Sequence, residues 1–193
     1  QLAAYAQQGG SVAIFLGHNA TKAGFNTPPA QELLPGKLDL QWRSGQRPGD
    51  FDGQAELYLA PRPVEQEMLA AFRPLAGNVP WNAFPVFRHW SFEGGQMTDG
   101  SSTIVAFSNG QPAIVQRTLG TGRVLVMTTP IGDRARPPGR EPWNWLPTAD
   151  YAWPYVMLID ETMLYLVGSG DVRLNYLTGE TAELRLPGGE DQA

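Results

Sequence analysis

The sequence contains no cysteine, which excludes disulfides, thiolate nucleophiles and cysteine-ligated metal sites together. The compartment stays open, because a chain without thiols suits reducing and oxidising surroundings alike. Lysine is almost missing as well: only Lys22 and Lys37 occur, and the arginines are scattered singly with no polybasic run. With a net charge of −5 and a pI near 5.0, a nucleic-acid surface is excluded, since phosphate-backbone binding rests on clustered Lys and Arg. No signal-peptide pattern and no apolar run of about 20 residues is read. Histidine is limited to His18 and His89.

What the chain does have is material for a core. A hydrophobic content of 42% with 10% aromatics is enough for a folded domain rather than a disordered one. Its 193 residues suit one domain, or one domain and a fragment of another. The first residue is Gln1, and the chain opens inside a helical pattern. It therefore reads as a piece of a larger protein, with targeting signals expected outside it.

Residues 2–8 are good helix formers that run into Gly9-Gly10, a plausible cap. The short apolar run 12–16 then reads as a strand buried on both faces of a parallel sheet, so the leading class is α/β. Residues 19–53 are irregular and rich in Pro and Gly, with a short helix near 30–34. A weak strand is read at 55–59. A helix over 63–75 places Val64, Met68, Leu69 and Phe72 at helical spacing before Pro74. The clearest local signal is a three-stranded antiparallel meander over 103–129. Asn109-Gly110 reads as its type I′ turn, and "LGTG" at 119–122 as its second turn. Residues 130–153 hold five prolines with Trp143, Trp145 and Trp153, and read as an ordered loop pinned by its indoles. A helix follows to about 167, with Val156, Ile159, Met163, Leu164 and Val167 as its core-facing stripe and Asp160 and Glu161 on its solvated face.

Chemistry is sparse. "GGSVAIFLGHN" at 9–19 ends an apolar run at Gly17-His18-Asn19, where an open α/β sheet presents residues at the carboxyl edge of a strand. His18 is a candidate base or metal ligand; the plainer reading is a loop histidine that only hydrogen-bonds locally. His89 is expected on an exposed loop or edge strand, so no convergent metal-ligand set is predicted. No Gly-x-Ser-x-Gly elbow occurs, Ser101-Ser102 read as turn residues, and "GTGR" at 120–123 joins antiparallel strands instead of opening a helix on a phosphate. No two carboxylates stand at an acid–base spacing. Trp81, Phe84, Phe87, Trp90 and Phe92 suit either a packed sheet face or an exposed interaction surface.

The order of these pieces carries a resemblance: "GGSVAIFLG", "EMLAAFR", "WNAFPVFRHW", "VAFSNGQPAIVQRTLGTGRVLVMTTP", "PWNWLP", "WPYVMLIDETMLYLVG" and "NYLTGE". It resembles the soluble region of large bacterial membrane proteins of the aerotolerance (Bat) type, which have two N-terminal membrane spans and a von Willebrand A-like region. Their later segment resembles a class I glutamine amidotransferase-like domain with a flavodoxin-like sheet. The resemblance covers roughly residues 1–170 and rests on the combined order of the motifs.

It implies a partial amidotransferase-like α/β domain over 1–170, missing strands at its N-terminus. Residues 171–193 would be the start of a following β-domain or a disordered tail. It also implies a membrane-anchored protein whose soluble domain is extracytoplasmic, anchored only through segments outside this chain. Where the catalytic relatives carry a nucleophilic cysteine, this chain has Gly17, His18 and Asn19; where they carry a histidine followed by a glutamate, it has Thr128 and Thr129. Without the thiolate that chemistry has no nucleophile. The expectation is a non-catalytic scaffold or binding module without cofactor or metal, taking an unidentified protein or small molecule. His18, Asn19, Thr128 and Thr129 would rim its cleft, with Trp143 and Trp145 covering it. The rival is a divergent hydrolase or a trehalose-utilisation-like sugar-metabolic domain using His18, with Asp133 as the carboxylate brought to it.

Overall fold

In a computed structural model, described over residues 1–63, 65–132 and 137–168, the chain forms a mixed α/β fold with two sheets. The large sheet has the order β1-β7-β6-β5-β3, and a two-stranded sheet pairs β2 with β4. The strands are β1 (Ser11–Phe15), β2 (Leu38–Arg43), β3 (Leu59–Pro61), β4 (Arg88–Phe92), β5 (Ser101–Phe107), β6 (Pro112–Leu119) and β7 (Gly122–Met127). Helices α1 (Leu2–Gln7), α2 (Lys22–Phe25), α3 (Pro28–Gln31) and α4 (Trp153–Val167) complete it. Among the described residues, only β1 with β7 is parallel; the other pairings of the large sheet are antiparallel.

The meander is present as β5, β6 and β7, and glycines shape both of its turns. At the first, Gly110 has φ +81° while Asn109 stays out of the positive-φ region. The loop is therefore not type I′, which needs both central residues left-handed. Instead Gly110 N–H bonds to the Phe107 carbonyl, and Asn109 Oδ1 accepts from Gln111 N–H. The second turn lies against the end of α1, where Thr121 N–H reaches the Gln7 carbonyl.

β7 divides the hydrophobic interior. Its period-2 alternation sends Leu125 and Met127 into one cluster with Phe107, Phe72, Tyr155 and Leu158, and Val124 and Val126 into another with Ala6, Leu16, Trp90 and Trp143. Each large side chain so buried contributes about 1.5–3 kcal/mol. β1 follows the same split, with Phe15 packed on the first cluster and Val12 and Ile14 on the second. It is an edge strand, however, with all five residues half-buried. The expected strand buried on both faces is thus realised by β7. The opposite edge, β3, is only three residues long and ends in Pro61, which blunts further pairing.

Two elements differ from the sequence reading in type or face. Residues 67–75 form a 3-10 helix with Pro74 inside it, and Met68, Leu69 and Phe72 are buried as expected; Val64 lies outside the described residues. On α4 the expected core stripe is divided: Ile159 packs against the first cluster and Leu164 is half-buried, but Val156 and Val167 are 63% and 66% exposed, and Met163 is exposed too. The buried face is Tyr155, Leu158 and Thr162. Both polar tips there are satisfied, since the Tyr155 hydroxyl donates to the Ile131 carbonyl at 2.6 Å and the Thr162 hydroxyl to the Leu158 carbonyl at 2.7 Å. With its hydrogen bond made, a hydroxyl can be buried at little cost. Asp160 is exposed and Glu161 half-buried; burial, then the Asp160 charge, raise the Glu161 carboxyl above its ordinary value. The expected segment 171–193 lies outside the described residues.

Candidate functional site

Because β1 and β7 run parallel in register, with Phe15 opposite Met127, their carboxyl ends deliver Gly17-His18-Asn19 and Thr128-Thr129-Pro130 side by side. Ala20 N–H closes a turn onto the Gly17 carbonyl at 3.1 Å, placing His18 and Asn19 at its two central positions. His18 is half-buried and Asn19 exposed.

Two of the expected site residues touch directly. Trp143 Nε1 donates to His18 Nδ1 at 3.1 Å, and the two rings meet edge-on with centroids 5.3 Å apart. Indole N–H can only donate, so His18 Nδ1 must be the accepting nitrogen and the proton of the neutral ring sits on Nε2. Trp145 does not share this arrangement: it packs edge-on against Phe51 and Phe87. Asp133, the carboxylate considered for His18, lies outside the described residues.

The two threonines are fully buried and are tied to the main chain. Thr128 donates to the Pro112 carbonyl at 2.9 Å, and Thr129 to the Arg88 carbonyl at 3.0 Å. The small sheet closes over this end, as Trp90 N–H bonds to the Thr128 carbonyl and the Trp90 indole approaches the Gly17 carbonyl at 3.5 Å. The threonines thus hold strands together beneath the site and do not rim an open cleft.

Sequence reasoning missed Asn144, which organises this region. Its amide nitrogen donates to Thr129 Oγ1 and to the Pro130 carbonyl, each at 2.9 Å, and its oxygen accepts from Leu146 N–H at 3.2 Å. Flanking backbone bonds, from Phe87 N–H to the Trp143 carbonyl and from Trp145 N–H to the Pro85 carbonyl, fasten the tryptophan loop to the approach of β4. The only sequence signal was a polar residue between two tryptophans.

His89 is likewise not where it was expected. It is 0% exposed, stacked on Trp42 at 5.2 Å between centroids and tilted against Phe107 at 4.4 Å. A neutral imidazole packs among aromatic rings much as they pack with one another, so β4 can bury it. Its Nδ1 donates to the Trp90 carbonyl at 3.0 Å, and Nε2 has no partner among the described residues. Burial, opposed by that carbonyl, holds the imidazole below its ordinary value. The unfolded chain takes up the proton near pH 6.5 while the folded one resists it. The contribution to stability is therefore intact above that pH and is lost as pH falls below it. We expect up to about 1.4 kcal/mol per pH unit of acid destabilisation below pH 6.5, a slope His89→Phe removes. In the NMR spectrum the His89 ring signal should keep its neutral shift through pH 6.5; a folded-state titration there would refute the reading.

The aromatic stretch is also no interaction platform, because Phe84, Phe87 and Trp90 are only 1%, 4% and 5% exposed. Among the described residues, no group of three or more His, Cys, Asp or Glu could hold a metal ion, and no helix is long and apolar enough to cross a membrane.

No protein-family model and no curated protein matches the chain. Its fold is similar to that of the cytoplasmic protein STM3548 from Salmonella typhimurium, with a TM-score of 0.57 and 12% identity over 85% of this chain. It is also similar to the cytoplasmic protein STM1381 from Salmonella typhimurium LT2, with a TM-score of 0.53 and 16% identity over 83% of this chain. The match spans 58% of each of those two proteins. At such identities the likeness is one of fold.

Proposed function

We propose that the chain is a non-catalytic scaffold or binding domain of amidotransferase-like, flavodoxin-like ancestry, part of a larger membrane-anchored protein of the Bat type. The observation that carries this is the use made of the groups at the catalytic position. His18 Nδ1 is occupied by the Trp143 indole, and the Thr128 and Thr129 hydroxyls are spent on main-chain carbonyls. A nucleophile needs a base within hydrogen-bond reach, and here the residues that replaced the apparatus serve packing. The placement outside the cytoplasm rests on the sequence resemblance alone, since both structural neighbours are named cytoplasmic.

The rival hydrolase or sugar-metabolic reading keeps His18 as its catalytic group. The test is to assay the purified chain and His18→Ala against ester, amide and glycoside substrates. No turnover by either protein is the expected result. Any hydrolysis lost in His18→Ala would replace the scaffold reading with the rival.

A further inference from the structure

Three of the arginines that look scattered in the sequence come together in space. Arg43 and Arg88 are direct cross-strand partners in the β2–β4 pair, which puts their side chains on one face. Like charges directly opposite each other destabilise an antiparallel pair, in a chain whose net charge is −5. Arg47 joins them from the loop after β2, and together with Phe87 and Glu141 they line a cleft of about 230 Å³.

We propose that this cleft binds a phosphoryl group, as inorganic phosphate or a small phosphomonoester. Among its lining residues the three arginines outnumber the single carboxylate of Glu141. The Arg88 side chain is only 13% exposed and is fixed by Glu141 at 3.2 Å, whereas Glu141 itself is 54% exposed. Glu141 thus acts as an internal stand-in that an incoming oxyanion can displace. Arg43 and Arg47 have no ion pair among the described residues, which leaves two guanidinium forks of the shape that suits phosphate or carboxylate oxygens.

The neighbouring carboxylates are already committed to the loop. Glu56 accepts from the Ser44 hydroxyl and from Gly45 and Gln46 N–H. The Ser44 bond above all keeps its carboxyl below the ordinary value, against a smaller opposing effect of burial. Asp50 accepts from Arg47 N–H. These bonds fix the loop that carries Arg47. The cleft is smaller than the roughly 300–1,000 Å³ of a drug-sized pocket, which matches a phosphoryl group with little attached. A phosphoryl group offers the guanidinium forks three acceptor oxygens and about −1.5 to −2 charge, more than a monocarboxylate does. The inference concerns a different site from His18 and stands or falls independently of the scaffold reading.

The test is to follow thermal unfolding of the whole chain against inorganic phosphate and glycerol phosphate, with ionic strength held constant by sodium chloride. A saturable rise in Tm is expected, since a ligand that binds only the folded state stabilises it by mass action. Arg43→Gln should weaken the response at least about fivefold, and Glu141→Gln should strengthen it by removing the competing carboxylate. Without phosphate, Arg43→Gln should melt no lower than the parent, because it relieves a repulsion. No saturable rise, an equal response to acetate, an unchanged response in Arg43→Gln, or a lower melting point of that variant in phosphate-free buffer would each overturn the proposal.

Discussion

Replacing Gly122 with alanine is expected to cost about 3 kcal/mol or more, at the upper end of what overpacking does in cores. A Cβ at this position would overlap the carbonyl oxygens of Ala6 and Gly10. Neither is the end of a flexible side chain, so relief requires moving α1 or the start of β1 as a unit. Gly122 does not have positive φ, so the cost comes from space and not from backbone conformation. The substitution should lower the urea midpoint and expose residues 1–10 to protease before the rest unfolds. A variant within about 0.5 kcal/mol of the parent, the range of a neutral surface change, would mean that α1 does not rest on the β6–β7 turn.

Asn144→Ala is expected to be comparably severe, at about 3–4 kcal/mol, because a buried group left without its partner costs about 1–3 kcal/mol. Three partners are involved: the Pro130 carbonyl, Leu146 N–H and the Thr129 hydroxyl. Thr129→Val should cost less, about 1–2 kcal/mol, since it removes the bonds to the Arg88 carbonyl and from the Asn144 amide but leaves Asn144 bonded to the Pro130 carbonyl and Leu146 N–H. The two losses should not add, as both side chains belong to one chain of bonds. Chemical denaturation of the single and double variants measures this. Full additivity, or a loss under about 1 kcal/mol for Asn144→Ala, would show that the tryptophan loop is held by its indoles alone.

The meander was legible because its signals are local: apolar runs separated by Asn109-Gly110 and Gly120 leave few alternatives. The existence of α4 was legible too, but not its face. Periodicity admits more than one stripe when Val156, Met163 and Val167 compete with Tyr155, Leu158 and Thr162. What decides is whether the hydroxyls find acceptors, and the Ile131 carbonyl that serves Tyr155 is 24 residues away. The site was harder for the same reason. His18 was visible as a residue that ends a strand, but its bond to Trp143 spans 125 residues. The Arg43–Arg88 pair depends on a strand register that no short motif encodes.

The parallel pairing of β1 with β7 also sets an order of events. The hairpins β5–β6 and β6–β7 close across short turns, whereas Val12 must find Val124 more than a hundred residues further on. Contacts of low sequence separation form fastest, because little loop entropy is lost in making them. The meander is therefore the natural nucleus, and β1 can be added only once β7 offers its free side. During synthesis β1 leaves the ribosome well before β7, so this pairing can form only once β7 emerges. Of the two strands in the parallel pair, the one made earlier is the one that must wait.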